Sequence, residues 1–321
     1  MNNITEIIRN KSKALLENKQ VEAVLGFSRG TLPMARRPFL ARTLEQAEHL
    51  CWDSFCLMNL AKFIPTDFEG KIAVIAKGCD WRNLVVHHQE GHLNLNDQVV
   101  VLGIACEGML DPEKISLAAG GVERVLDVAC EDSTVNVQLI DGDLQLEKKA
   151  LYRQACLECI RPQPLSAADW IRKPDKAKPP RDISEEKAPH FLESADPESR
   201  LAQLQDMFKQ CLMCFACRDA CPLCYCSHCF VDTEKSHWLS TQSPLDRVLD
   251  FHFFRAHHTA GRCTDCGACE SACPMNIPVR QLVRKLNADI EKSTGYIPGI
   301  ETEKEPPMGI FRPSYHESER R

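Results

Sequence analysis

No stretch of the 321-residue chain approaches the ~18 consecutive apolar residues of a membrane-spanning helix, so no helical span is expected. The opening Met-Asn-Asn-Ile-Thr-Glu lacks the basic-then-apolar layout of a secretory leader, and the expected location is the cytoplasm. Positive charge is in short supply: 45 Asp and Glu face 39 Lys and Arg, a net −6. That balance argues against a nucleic-acid partner. No nucleophile–base dyad or triad stands out, so no catalytic residue is assigned. What the chain does have is cysteine, 18 in all. In a cytoplasmic protein that number means metal or redox ligands rather than a disulfide frame.

Eight of these cysteines fall into two runs of one pattern. Cys211, Cys214, Cys217 and Cys221 are spaced C-x2-C-x2-C-x3-C, followed by Pro222. Cys263, Cys266, Cys269 and Cys273 repeat the spacing and precede Pro274. This is the pattern of a module holding two 4Fe-4S clusters, in which the fourth cysteine of each run ligates the other cluster. One cluster is therefore assigned to Cys211, Cys214, Cys217 and Cys273, the other to Cys263, Cys266, Cys269 and Cys221. Zinc is the alternative for thiolates, but zinc sites use CxxC pairs and need neither the triple run nor the proline.

Ahead of these runs the pattern alternates between strand and helix. Residues 3–18 place Ile4, Ile7, Ile8, Leu15 and Leu16 on one helical face. Strands are expected at 21–27, 71–76, 98–105, 122–129 and 135–140, with a turn at Asp141-Gly142. Helices are expected at 44–63 and 80–89. Such alternation predicts an α/β domain over 1–160 with a mixed or parallel sheet. Residues 161–198 are proline-rich and charged and read as a linker, with an ordinary long loop as the alternative. Residues 199–299 read as a small, mostly helical, bacterial-ferredoxin-like domain. It carries an insertion at 224–262 and helices at 199–210 and 276–289. A polar tail occupies 300–321. Between residues 205 and 290, nine acidic and nine basic residues cancel. That neutrality suits a wire inside an assembly better than a free carrier steered by charge.

A looser constellation sits in the first domain. Lys77-Gly78-Cys79-Asp80-Trp81-Arg82 follows one strand, and Gly103 through Met109 follows the next. Open α/β sheets bind ligands at such strand ends, and a helix N-terminus favours anions. Cys79, Cys106, Cys156 and Cys159 are a candidate third cluster, against the alternative of unpaired structural thiols. Cys224, Cys226 and Cys229 offer either a further metal site, with His228 or Cys130 as fourth ligand, or small buried packing residues; packing is favoured because the eight cysteines are complete without them. Cys51 and Cys56 are expected in the core. Arg29, Arg36, Arg37 and Arg42 concentrate charge suited to phosphate or carboxylate, or simply form a solvated face. His87, His88 and His92 lack a convincing ligand spacing beyond His88 and His92.

The Lys77–Arg82 stretch, with Asp97 through Gly108, resembles the β-subunit family of coenzyme F-420 (deazaflavin) hydrogenases and formate dehydrogenases, over roughly residues 20–160. The resemblance implies an FAD near Lys77, Gly78, Cys79, Asp80 and Arg82, with Gly103, Cys106 and Gly108 close by. It also implies electron exchange between iron–sulfur clusters and a hydride-carrying coenzyme. Members often carry the ferredoxin motif ahead of this domain; here it follows. The C-terminal half is similar to iron–sulfur subunits that accompany heterodisulfide reductase and formate dehydrogenase complexes. The expected protein is an electron-transfer subunit of a multi-subunit oxidoreductase of these kinds, its partners being the other subunits. The alternative is a pure electron wire and docking subunit without flavin.

Overall fold

The computed structural model describes residues 3–174, 196–232 and 243–309. Most of the expected linker, residues 233–242 of the insertion and the last twelve residues of the tail lie outside these. Helix α1 (Asn3–Glu17) buries Ile8 and lays Ile4, Ile7, Leu15 and Leu16 against the core. Then come β1 (Ala23–Arg29), β2 (Arg36–Ala41), a single-turn α2 (Leu44–Ala47) and the two-residue β3 (Leu50–Cys51). β4 (Ile72–Ala76) leads into α3 (Gly78–Gln89), and α4 (Leu95–Gln98) into β5 (Val99–Ile104). β4 reads Ile-Ala-Val-Ile-Ala and is buried at every position. A continuous apolar run of this kind belongs to a strand covered on both faces.

The sheet runs β2-β1-β4-β5 and ends on a strand that the sequence reading assigned to the linker: β9 (Asp169–Arg172). β1, β4, β5 and β9 are parallel, while β2 and β3 pair antiparallel with β1. Residues 161–174 are therefore part of the α/β region. Asp-Trp-Ile-Arg is too short and too mixed to read as a strand alone; the open edge of β5 recruits it.

Two further expectations change. The helix expected over 44–63 is replaced by α2, β3 and a single 3-10 turn at Leu60–Phe63. Its apolar residues, Cys51, Trp52, Phe55, Cys56 and Leu60, are buried from an irregular path rather than along one face. The strands expected at 122–129 and 135–140 do exist, as β6 (Val125–Cys130) and β7 (Thr134–Leu139), but outside the main sheet. With β8 (Gly142–Glu147) they form a separate antiparallel sheet. That sheet packs over its own cluster of Leu110, Ile115, Val135 and Val137, with Ile115 supplied by α5 (Pro112–Ala119). A one-turn helix, α6 (Gln154–Leu157), returns the chain to the strand ends.

The remainder is helical. α7 (Pro197–Phe208), α9 (Pro244–Thr259) and α11 (Arg280–Thr294) enclose a second core around Phe208, Leu249, Phe251, Leu282 and Val283. Two one-turn helices, α8 (Ala216–Asp219) and α10 (Ala268–Ser271), sit inside it. Helix α3 joins the two parts. It is buried from Asp80 through Val86, more than one face of a surface helix would be. Its outward polar groups end on the helical part: Arg82 donates to Thr264 O (2.8 Å) and Pro298 O (2.8 and 3.0 Å), and Asn83 donates to Thr264 Oγ1 (2.7 Å). These bonds fix where the strand ends stand relative to the cysteine runs.

Candidate metal centres

Both cysteine runs fold in the same way. Met213 and Phe215 take positive φ (52° and 59°), and so do Asp265 and Gly267 (61° and 71°) at the matching positions of the second run. Left-handed backbone at non-glycine residues is costly and persists only where the surroundings demand it. Here it curls each loop around its first cysteine. The amide of Met213 points at Cys211 Sγ and that of Asp265 at Cys263 Sγ, both at 3.4 Å. Ile277 N makes the same bond to Cys273 Sγ. Cys217 and Cys269 lie on α8 and α10, which follow directly.

The fourth cysteine of each run crosses over. Cys211 has Cys273 and Cys214 as charged neighbours, and Cys217 also faces Cys273. Cys263, Cys266 and Cys269 all face Cys221. Cys217 and Cys269 face one another, so the two sets are adjacent. Among the described residues, no three or more His, Cys, Asp or Glu side chains form a ready site for a single ion. Burial pushes Cys217 up to about 11 and Cys266 up to about 12. Burial of this kind disfavours the thiolate unless a positive charge stands beside it.

A cavity of about 730 Å³ opens where the ends of β4 and β5 face the second run. Cys79, Cys106, Cys156 and Cys159 line it together with Cys263 and Cys266. Cys106 faces Cys156 and Cys159, and Cys79 faces Cys159 and Cys266. Two of this quartet receive the same backbone bonds as the ferredoxin-type runs: Gly108 N to Cys106 Sγ and Met109 N to Cys156 Sγ, both 3.4 Å. Burial raises Cys106 to about 12. This set thus shares its crowding, its burial and its amide-to-sulfur bonds with the other two.

Of the residues expected around a flavin, Lys77, Gly78, Cys79, Arg82, Cys106 and Gly108 line this cavity, and Asp80 and Gly103 do not. Lys77 is buried and its ammonium donates to Cys56 O (3.1 Å) and Met58 O (3.0 Å), beside Asp80 at 3.1 Å. Burial opposes its charge, but the Asp80 carboxylate prevails and keeps it protonated. Asp80 is itself bound by the amides of Lys77 and Leu60 and does not line the cavity. The Arg82 guanidinium is committed to Thr264 and Pro298. Gly103 lies against Trp170 and Ala167, away from the cavity. Gly78, expected to admit a ligand, instead admits the chain: a Cβ there would collide with the Arg161 carbonyl. Gly78 N (3.3 Å) and Cys106 N (3.0 Å) both donate to Pro162 O. At the N-terminus of α3 the Gly78 amide is thus taken by Pro162, while Lys77, Gly78, Cys79 and Arg82 still line the cavity. Gly108 stands at φ +107° beside Tyr152.

No protein-family model matches the chain. Among curated proteins, it is 26% identical to the F420-dependent formate dehydrogenase subunit beta of Methanocaldococcus jannaschii, over 94% of this chain and 93% of that one. It is also 26% identical to the F420-dependent formate dehydrogenase 1 subunit beta of Methanococcus maripaludis, over 92% and 91%. The chain is similar to these β subunits over nearly its whole length. The likeness thus reaches well beyond residues 20–160 and takes in both cysteine runs. A solved structure, the xenon-derivatized F420-reducing [NiFe] hydrogenase complex from Methanosarcina barkeri, matches 50% of this chain and 59% of its own at 14% identity and TM-score 0.36, too slight to bear on the fold.

The remaining residues that the sequence singled out are mostly structural. Cys51 and Cys56 are buried core thiols. Cys224 is half-buried and its thiol donates to Cys221, which lowers the Cys221 thiol; Cys226 is exposed. Arg36 is tied to Asp53 at 2.7 Å, and Arg42 lies over Phe68. His87 reaches Pro222 O at 2.9 Å, and His92 packs on Tyr225. Sequence reading missed Arg153, Arg255, Arg280 and Arg284. Arg280 is wholly buried and pairs with Glu158 (2.6 Å), Asp265 (2.6 Å) and Glu270 (2.9 Å); Arg284 adds a second bond to Glu158 at 2.7 Å. Arg153 donates to Gly267 O at 2.6 Å. These straps join the Cys156–Cys159 segment to the loop of the second run. An i, i+4 arginine pair on a helix ordinarily reads as a solvated face, so nothing in the sequence marked them.

Proposed function

We propose that the chain is an iron–sulfur electron-transfer subunit of a multi-subunit oxidoreductase of the formate dehydrogenase or hydrogenase kind. Residues 199–299 are its two-cluster, ferredoxin-like domain, with the insertion at 224–262, and residues 1–160 supply most of the α/β domain. One 4Fe-4S cluster is held by Cys211, Cys214, Cys217 and Cys273. The second is held by Cys263, Cys266, Cys269 and Cys221. Cys79, Cys106, Cys156 and Cys159 hold a third, on the cavity side of the second. The observation that carries this reading is the sharing of one cavity wall by the third quartet and by Cys263 and Cys266. Clusters exchange single electrons at potentials set by burial, charge and hydrogen bonds to sulfur. The protein's part is to bury the thiolates, aim amides at them and hold the three sites in a row. Its partners are the other subunits, as the names of its relatives suggest.

The size of the cavity favours a second reading. At about 730 Å³ it is in the range of cofactor pockets and larger than a cube needs. A flavin in this cavity, whose wall includes Lys77, Gly78, Arg82, Tyr152 and Arg172, would convert between hydride and single-electron traffic. Anaerobic iron, sulfide and flavin analysis separates these readings. About twelve irons per chain without flavin supports the three-cluster wire; about eight removes the third cluster. Stoichiometric flavin selects the second reading. In Cys214→Ala, the iron content should fall by one cluster, and unchanged iron would contradict the ligand assignment.

A further inference from the structure

Helix α9 belongs to the insertion between the two cysteine runs, and it carries a buried cation to the place where the quartets meet. Arg255 is only 6% exposed. Its Nη2 donates to the carbonyl of Cys217 at 3.0 Å, while its Nε has no hydrogen-bond partner among the described residues. Its charged neighbours are thiols: Cys217 from one quartet, Cys221 and Cys269 from the other, and Cys224. Arg280, equally buried, is balanced by three carboxylates. Among the described residues no carboxylate forms an ion pair with Arg255. An uncompensated buried charge is expensive, so this cation requires anions of another kind beside it.

We propose that Arg255 is a positioning residue that raises the reduction potentials of both ferredoxin-type clusters at once. The proposal rests on the cluster reading above. Reduction adds one negative charge to a cluster. A fixed cation in a dry interior favours the more negative state. Because Arg255 bonds to Cys217 of one set and has Cys221 and Cys269 of the other as electrostatic neighbours, its charge acts on both and offsets the repulsion that one reduced cluster exerts on the next.

The test is a redox titration of the full chain, followed by EPR under anaerobic conditions, in the wild type, Arg255→Met and Arg255→Lys. Both midpoints should shift downward in Arg255→Met, with recovery in Arg255→Lys. Retention of iron by the Lys variant where the Met variant loses it would also support a requirement for charge. Midpoints that stay put in an Arg255→Met protein with intact clusters would overturn the proposal. So would loss of iron from both variants, which would make the role one of packing. Wild-type protein without two cubane signals would fail the cluster reading instead.

Discussion

Gly78 and Arg280 are where single side chains decide most. Gly78 stands where β4 passes into α3, and the carbonyl of Arg161 fills the space of its missing Cβ. Gly78→Ala should force residues 161–163 outward, at a cost of about 1–3 kcal/mol for overpacking, and loosen the Cys106 amide from Pro162. The denaturation midpoint reads the first effect. A wild-type midpoint in this variant would show that the loop is not held there. Arg280→Met leaves Glu158, Asp265 and Glu270 around an apolar stem. Stability should fall by on the order of 3 kcal/mol, discounted to the extent that Arg284 takes over Glu158 and Asp265. A loss below about 1 kcal/mol would mean that Arg284 carries the clamp alone. Both residues look unremarkable in sequence, because a glycine's neighbour and an arginine's partners come from segments far along the chain.

Among the elements, α9 is held by a cap at its start and by aromatic packing along its length. Ser243 accepts from Asp246 N at 3.0 Å, and Pro244 occupies the first turn. Ser243→Ala should cost about 1 kcal/mol. Phe208 at the end of α7 is fully buried and stacks on His252 of α9 at 4.1 Å. Phe208→Ala should cost about 3–5 kcal/mol and undock α7, a change visible in urea unfolding as a lower midpoint. If the midpoint moved by under about 1 kcal/mol, α7 would not be part of this core. The periodicity of α1 and the apolar runs of β4 and β5 were legible because each is buried by a simple face or on both sides. Residues 44–63 were not. Their apolar residues feed the core from a path that has no single period, and amphipathic counting reads that as a helix. β9 was hidden for a different cause: edge strands are defined by the neighbour they pair with.

At the scale of the whole molecule, α3 and the arginine straps make one body of the α/β part and the helical part. The consequence for the proposed wire is that the third quartet and the second cannot drift apart. Substituting Cys156 and Cys159 by serine together should remove about one cluster's iron while leaving the other two EPR signals in place. Loss of all three would show that the third quartet is needed to assemble the rest. The similarity to formate dehydrogenase β subunits runs along nearly the entire chain and so spans both parts.

The cysteine spacing on its own pointed to two quartets and their crossing, because ligand geometry is written in short-range intervals that a loop of fixed length must obey. It also pointed to the α/β class, since burial on both faces leaves an apolar run in any sequence. Only the tertiary structure decided what stands at the strand ends. There, Pro162 takes the Gly78 and Cys106 amides, Lys77 is tied to Cys56 and Met58, Arg82 reaches across to Thr264 and Pro298, and four thiols from three segments meet at one cavity. Such meetings depend on long-range packing, which leaves no spacing to read.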